Sequence, residues 1–376
     1  MLTGWSGPDQ LLVDIFRFMT RSRVLAAWAS ALLAGLVLGA TPASAHKASQ
    51  RHRHTRCAGQ FHAGHWPPAC WRPYGSSSPF NQPLPAHPGL LPSSAAIVSR
   101  VLGFGLPGNL LAGVSGSSSD WGHPSYYSRP VDPQFTIHCT ESWGRCQVEG
   151  MRIRIPDAAR PAGGGDGHMA VIDQADGWEY DFWQVLGKPR GGGRLEVSWG
   201  GRLPLRGNGL GGAATAAGFG LQAGIIRAAE LRGGRIDHAL FMTVRCTTGR
   251  SVYPASGGGA ACPVPLGAPA MGMRFQLAMS DAQIAALPLP GWKKTILRAL
   301  SHYGAYVGDT GGSGIGFEFE SGATYTSFGY PDPMVRFARG AGGIAISAGR
   351  YVFDLAKGVD WSRLRVVDPC LTRHVC

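Results

Sequence analysis

Two neighbouring runs hold the residues best suited to chemistry. Gly167-His168-Met169-Ala170-Val171-Ile172-Asp173 precedes Gly177-Trp178-Glu179-Tyr180-Asp181-Phe182-Trp183-Gln184. Both alternate with period two, and the short gap between them predicts a β-hairpin. Trp178, Tyr180 and Phe182 would share one face, with Glu179, Asp181 and Trp183 on the other, beside His168 or Asp173 according to register. Carboxylates at alternate strand positions stand about 7 Å apart along the backbone, within side-chain reach of glycosidase spacings. Repulsion between them would raise one pKa and make that acid a proton donor. Trp183 would give a sugar ring an apolar platform, with Gln184 beside it. The plain alternative is the polar face of an amphipathic strand with a rim tryptophan.

Further candidates are scattered along the chain. His238 follows Asp237 at the head of an apolar run, where a histidine also suits a core hydrogen bond. With His168 it would suit proton transfer if strands bring the two together. Asp309 follows Tyr303-Gly304-Ala305-Tyr306-Val307-Gly308 and precedes Thr310-Gly311-Gly312. It is either an Asx turn or a carboxylate at a strand end near the cleft. Trp121 and His123, followed by Tyr126 and Tyr127, form an aromatic loop that would border a sugar site or serve packing. Asp173, Arg274 and Tyr303 complete the substrate-binding set. In a lyase, His168 or His238 with a tyrosine would take the proton beside a uronate, and Arg274 would neutralise its carboxylate.

Several chemistries lack their motif. There is no Gly-x-Ser-x-Gly elbow, no HExxH helix, no phosphate-cradling loop and no dinucleotide fingerprint. A mixed metal set from His123, His168, Asp173 and His238 has no supporting spacing, and no cofactor or metal is expected.

The elements that must position these residues are short. Apolar runs at Gln147–Ile155, His168–Gln174, Trp178–Val185, Arg194–Trp199, Ile236–Arg245, Met271–Met279, Ala305–Gly308, Ile315–Glu320 and Tyr351–Leu355 alternate with Gly-rich turns and predict strands. In Ile315–Glu320, Phe317 and Phe319 point one way, Glu318 and Glu320 the other. Ser280-Asp281-Ala282-Gln283 is a capping box opening a short helix, a second helix covers Trp292–Tyr303, and a third Gln222–Leu231. The expected fold is mainly β: a two-sheet β-sandwich or jelly-roll-like domain with a few short peripheral helices.

Composition and targeting agree with a β-rich secreted protein. The 376 residues include 56 Gly, 27 Pro and 11 Trp, and 35 Lys+Arg against 23 Asp+Glu give a net charge of +12. Aromatic content excludes a disordered chain, and frequent Gly and Pro exclude a coiled coil. Residues 1–45 read as a signal region. Its true start is Met19, an apolar run spans Val24 to Ala40, and cleavage follows Ala45. No later stretch suits a membrane span, so the mature chain is expected to be extracellular. Residues 46–56 form a basic head that would rest on anionic cell wall. Residues 57–376 form one domain. Its eight cysteines fall into four local couples, 57–70, 139–146, 246–262 and 370–376, read as disulfides. The remaining basic charge is dispersed, so nucleic acid is not an expected partner.

Glu179-Tyr180-Asp181-Phe182-Trp183-Gln184 resembles the Glu-x-Asp-x-x-Glu strand of retaining jelly-roll glycosidases of the laminarinase and carrageenase type. That resemblance implies Glu179 as nucleophile, but Gln184 stands where those enzymes carry the acid/base Glu. His168 to Gln184, Ile236-Asp237-His238-Ala239-Leu240, Met271-Gly272-Met273-Arg274 and Tyr303 to Asp309 together resemble a group of secreted bacterial β-proteins without an established activity. The expected function is therefore a carbohydrate-active enzyme cleaving an extracellular polysaccharide, with Glu179 and Asp181 as the catalytic pair. A polysaccharide lyase and a non-catalytic glycan-binding or cell-wall protein, with Trp121, Trp183 and Trp199 as stacking surfaces, are the alternatives.

Overall fold

The computed structural model describes residues 57–369. The signal region, the basic head and the Cys370–Cys376 couple lie outside the described residues. The fold is mainly β, as expected, and sandwich-like in its two principal sheets. In chain order the strands are β1 (Leu110–Ala112), β2 (Ser125–Ser128), β3 (Gln134–Cys139), β4 (Arg152–Arg154), β5 (Met169–Asp173), β6 (Trp178–Val185) and β7 (Gly193–Pro204). They continue with β8 (Leu240–Val244), β9 (Arg274–Leu277), β10 (Ala305–Thr310), β11 (Gly316–Phe317), β12 (Ala345–Ser347), β13 (Arg350–Phe353) and β14 (Leu364–Val367). The six-stranded sheet runs β2-β5-β6-β7-β3-β4, the five-stranded sheet β11-β8-β10-β9-β14, and a small sheet β1-β13-β12.

The predicted hairpin is present as an antiparallel pair, with Ile172 opposite Glu179 and Ala170 opposite Asp181. That register sets His168 on the face of Glu179, Asp181 and Trp183, and Asp173 on the other face beside Trp178. Tyr180 and Phe182 bury into one core with Phe135, Val171, Leu195 and Val197. The opposite face packs Tyr127, Ala170 and Ile172 against Phe61 and Leu221. Three pairings are parallel: β2 with β5, β3 with β7, and β8 with β10.

The segment around 219–222 joins the two sheets. Leu221 lies on the six-stranded sheet, while the Phe219 ring meets Phe80 at 5.1 Å and Phe241 on β8 at 6.1 Å, both edge-on. The first helix, α1, is Ser94–Phe104. The helix expected over Gln222–Leu231 is shorter and later, α2 (Ala228–Gly233), because residues 221–224 form a turn and Ile226 bridges Phe319. The capping box is realised in α3 (Asp281–Ala286), where Ser280 and Gln283 bond reciprocally. The other helices are α4 (Gly291–His302), α5 (Ala323–Thr326) and α6 (Pro333–Gly340). Disulfides 57–70, 139–146 and 246–262 are formed as expected.

Candidate active site

Glu179 and Asp181 project from β6, but both are fully buried. Glu179 Oε2 accepts from Tyr74 Oη at 2.8 Å, and Oε1 accepts from the Gln222 amide at 3.0 Å. Asp181 Oδ2 accepts from the Leu221 amide at 3.0 Å. Burial and mutual repulsion hold Asp181 well above the usual carboxylate range, and burial raises Glu179 as well. Asp181 Oδ1 is buried without a hydrogen-bond partner. Gly220 is required at this contact, because a Cβ there would stand 2.1 Å from Tyr74 Oη. This differs from the expectation that the pair is catalytic. A polymer cannot reach carboxyls sealed under residues 220–222, so they act as a polar clamp between strand and segment.

His238 is not brought to His168. It lies in a buried ion network, with Nε2 3.0 Å from Glu230 Oε1, which also accepts from Arg227 at 2.7 Å. The Arg227 and His238 charges hold the Glu230 carboxyl down at about 2 despite its burial. Arg274 is likewise structural: its guanidinium donates to the carbonyls of Tyr303 at 2.7 Å and Gln82 at 2.6 Å. Tyr303 follows α4 as its C-cap. Asp173 accepts from the amides of Ala175 and Asp176 at 3.0 Å each, closing the hairpin turn. Gln184 accepts from Ser198 Oγ at 2.8 Å.

The other expected residues lie about the end of the hairpin, linked to β10 through residues 214–216 and to residues 316–320 through the His123–Glu320 bridge. His123 and His168 meet edge to face at 4.8 Å. His123 Nδ1 donates to the Leu221 carbonyl at 2.8 Å and His168 Nε2 to the Ala214 carbonyl at 3.1 Å, which assigns the tautomers. Burial pushes His123 down to about 3 and His168 to about 4, so both are neutral at pH 7. The lone-pair Nε2 of His123 stands 4.0 Å from Glu318 Oε2. Asp309 accepts from the Ala216 amide at 3.3 Å and the Thr310 amide at 2.7 Å. A register shift between Val307 and Asp309 re-aims this carboxylate. Gly308 permits it, since a Cβ there would lie 2.4 Å from the Phe241 ring.

Asp166 completes the group, accepting from Trp183 Nε1 at 3.2 Å. Burial, with the charges of Asp309 and Asp166, raises Glu318 to about 8. Burial raises Asp309 to about 6 against two amide bonds that lower it. Unlike the clamp, this cluster faces solvent: the Glu318 side chain is 16% exposed, and Asp166 and Asp309 are half-buried. Trp121, 50% exposed, lies over the Gly164–Gly165 turn beside Asp166. Trp183 meets Trp143 at 5.4 Å in a tilted pair, and Trp143 also meets Trp199 at 5.6 Å. Trp143 is carried on the Cys139–Cys146 loop and is 63% exposed. Among the described residues no three of His, Cys, Asp and Glu are arranged to hold a metal ion.

Asp166, Glu318, Trp143 and Tyr74 were not among the expected site residues. Glu318 had a signal, because it alternates with Phe317 and Phe319, but that pattern reads equally as a solvated strand face. Asp166 sits in a glycine-rich turn with no periodic cue. The chain matches no protein-family model, curated protein or solved structure.

Proposed function

We propose that this chain is a secreted carbohydrate-active enzyme that hydrolyses glycosidic bonds in an extracellular polysaccharide, at the Asp166–Asp309–Glu318 cluster. The carrying observation is the mostly buried Glu318, 16% exposed, grouped with Asp309 and Asp166 near exposed Trp121 and the Trp143–Trp183 pair; burial and the charges of Asp309 and Asp166 push its carboxyl up to about 8. Separated pKa values on neighbouring carboxyls are what general acid and base roles need. Glu318 gives its proton to the leaving oxygen. Asp309, or Asp166, takes one from the attacking water, which adds at the anomeric carbon. His123 and His168 line the cluster from within and keep it free of positive charge. Export is supported by the Met19–Ala45 signal pattern and three formed disulfides, which belong to an oxidising compartment.

A non-catalytic glycan-binding reading rests on the same tryptophans, and a lyase reading on the lone-pair nitrogen of His123. One experiment separates them. Protein from residue 46 onward is incubated with a polysaccharide panel while reducing ends and unsaturated-uronate absorbance are followed. Hydrolysis predicts reducing ends without absorbance, lost in Glu318→Gln and Asp309→Asn. Absorbance would replace it with the lyase reading, and binding without cleavage with the glycan-binding one.

A further inference from the structure

A second recess shares no residue with the acid cluster. It encloses about 400 Å³ where the aromatic stretch near Trp66 meets the chain around Tyr325 and Tyr330. Trp66 stands 4.6 Å from Tyr325 and 5.0 Å from Tyr330, the latter edge-on. Tyr330 is 45% exposed. Arg232 from α2 and Arg336 from α6 also line the recess, and both are exposed. Among the described residues, neither guanidinium has an ion-pair or hydrogen-bond partner. No carboxylate lines the recess. The acidic groups near it in sequence are engaged elsewhere: Glu230 accepts from Arg227 at 2.7 Å, Glu320 accepts from Tyr325 Oη at 2.8 Å, and Asp332 caps α6 through the Met334 amide at 2.7 Å.

We propose that this recess binds a carboxylated sugar unit of an acidic polysaccharide, independently of cleavage. Aromatic faces suit the C–H face of a pyranose ring. Planar guanidinium forks suit a carboxylate, which they can hold bidentately. A neutral sugar would use the aromatics and leave both arginines idle. A nucleic-acid strand would need a basic groove running along several phosphates, whereas this recess has room for about one ring unit. The proposal goes beyond the hydrolytic reading, because it concerns anchoring at residues that do not touch the acid cluster.

The test is binding of polygalacturonate, alginate and hyaluronan, with fully methyl-esterified polygalacturonate as the uncharged control. It is measured by affinity electrophoresis and calorimetry in a Glu318→Gln background, so that turnover plays no part. The expected result is binding to at least one acidic polymer and not to the ester. The double variant Arg232→Ala/Arg336→Ala weakens that binding by roughly tenfold or more, and Tyr330→Ala also weakens it. Arg190→Ala/Arg250→Ala removes the same charge elsewhere and leaves it unchanged. Equal losses in the two double variants, equal binding of the ester, full competition by single-stranded DNA, or no binding to any acidic polymer would each overturn the proposal.

Discussion

Replacing Glu318 with Gln should stabilise the protein at alkaline pH while abolishing its proposed chemistry. Burial beside Asp309 and Asp166 raises this carboxyl from 4.5 to about 8. A carboxyl raised in the folded state binds its proton more tightly there than in the unfolded chain. Its contribution is therefore intact below about pH 4.5 and lost as pH climbs through about 8. At about 1.36 kcal/mol per pH unit the ceiling is about 5 kcal/mol. The side chain is 16% exposed, and water at its outer edge reduces the effect to roughly 2–4 kcal/mol. Glutamine carries no proton to lose, so Glu318→Gln escapes this cost. A chain of this length gains about 1–2 °C in Tm per kcal/mol, so the variant should melt roughly 2–8 °C higher at pH 8.5 and within about a degree at pH 4.5. Calorimetry or thermal shift at both pH values reads the difference, and the other titrating groups largely cancel between the two proteins. Parallel pH profiles, or a variant less stable at both, would refute a buried protonated Glu318.

Other outcomes follow from the same accounting. Asp181→Asn replaces one neutral group by another and should cost under about 1 kcal/mol, while Glu179→Gln leaves one of its donors unmet and should cost about 1–3 kcal/mol; denaturant melts rank the two, and neither should change kcat of the folded fraction. Glu230→Gln removes the anion that Arg227 and His238 share and should cost about 3–5 kcal/mol by the same melts. For the wild type, Glu320 raised to about 7 and Asp309 to about 6 join Glu318 in losing stability as pH rises. His123 and His168, depressed to about 3 and 4, lose it as pH falls below their unfolded value of 6.5. A Tm maximum between about pH 5 and 6.5 should result, and a maximum above pH 8 would contradict it.

Legibility in the sequence followed how local each feature is. The hairpin, its two faces and the box at Ser280–Gln283 are set by neighbours a few residues away, and period and capping chemistry exposed them. Strands β1, β2, β3 and β14 carry no clear period and pair with distant chain, β12 is a three-residue edge, and Gln147–Ile155 contains only β4 because residues 147–150 form a turn. The site divided the same way. His123, His168, Asp309, Trp121 and Trp183 stand out by residue type, yet which of them meet is decided by distant joins, such as the bonds of His168, Asp309 and His123 to residues 214–221. Glu179 and Asp181 read as an open pair in the sequence for a physical reason. Alternation tells which face a carboxyl takes, but not whether a later segment, here 220–222, closes over it.

The three parallel pairings govern how the chain reaches this state. Strands β5, β6 and β7 follow one another through short turns, so their meander can form early from local contacts. A parallel partner cannot be delivered by a tight turn, and β2, β3 and β10 must each wait until a long intervening stretch has been gathered. Refolding should accordingly be slow for a protein of this size, with its transition state centred on the β5–β6 turn. Gly177 occupies that turn at φ +75° with open space around it, so Gly177→Ala should retard folding through backbone strain, whereas truncations in β2 should mainly hasten unfolding. Stopped-flow refolding of the disulfide-intact chain distinguishes the two effects. The residues that carry the proposed chemistry come together only when the last crossings close, so partly folded chains should be inert long before they are unstructured.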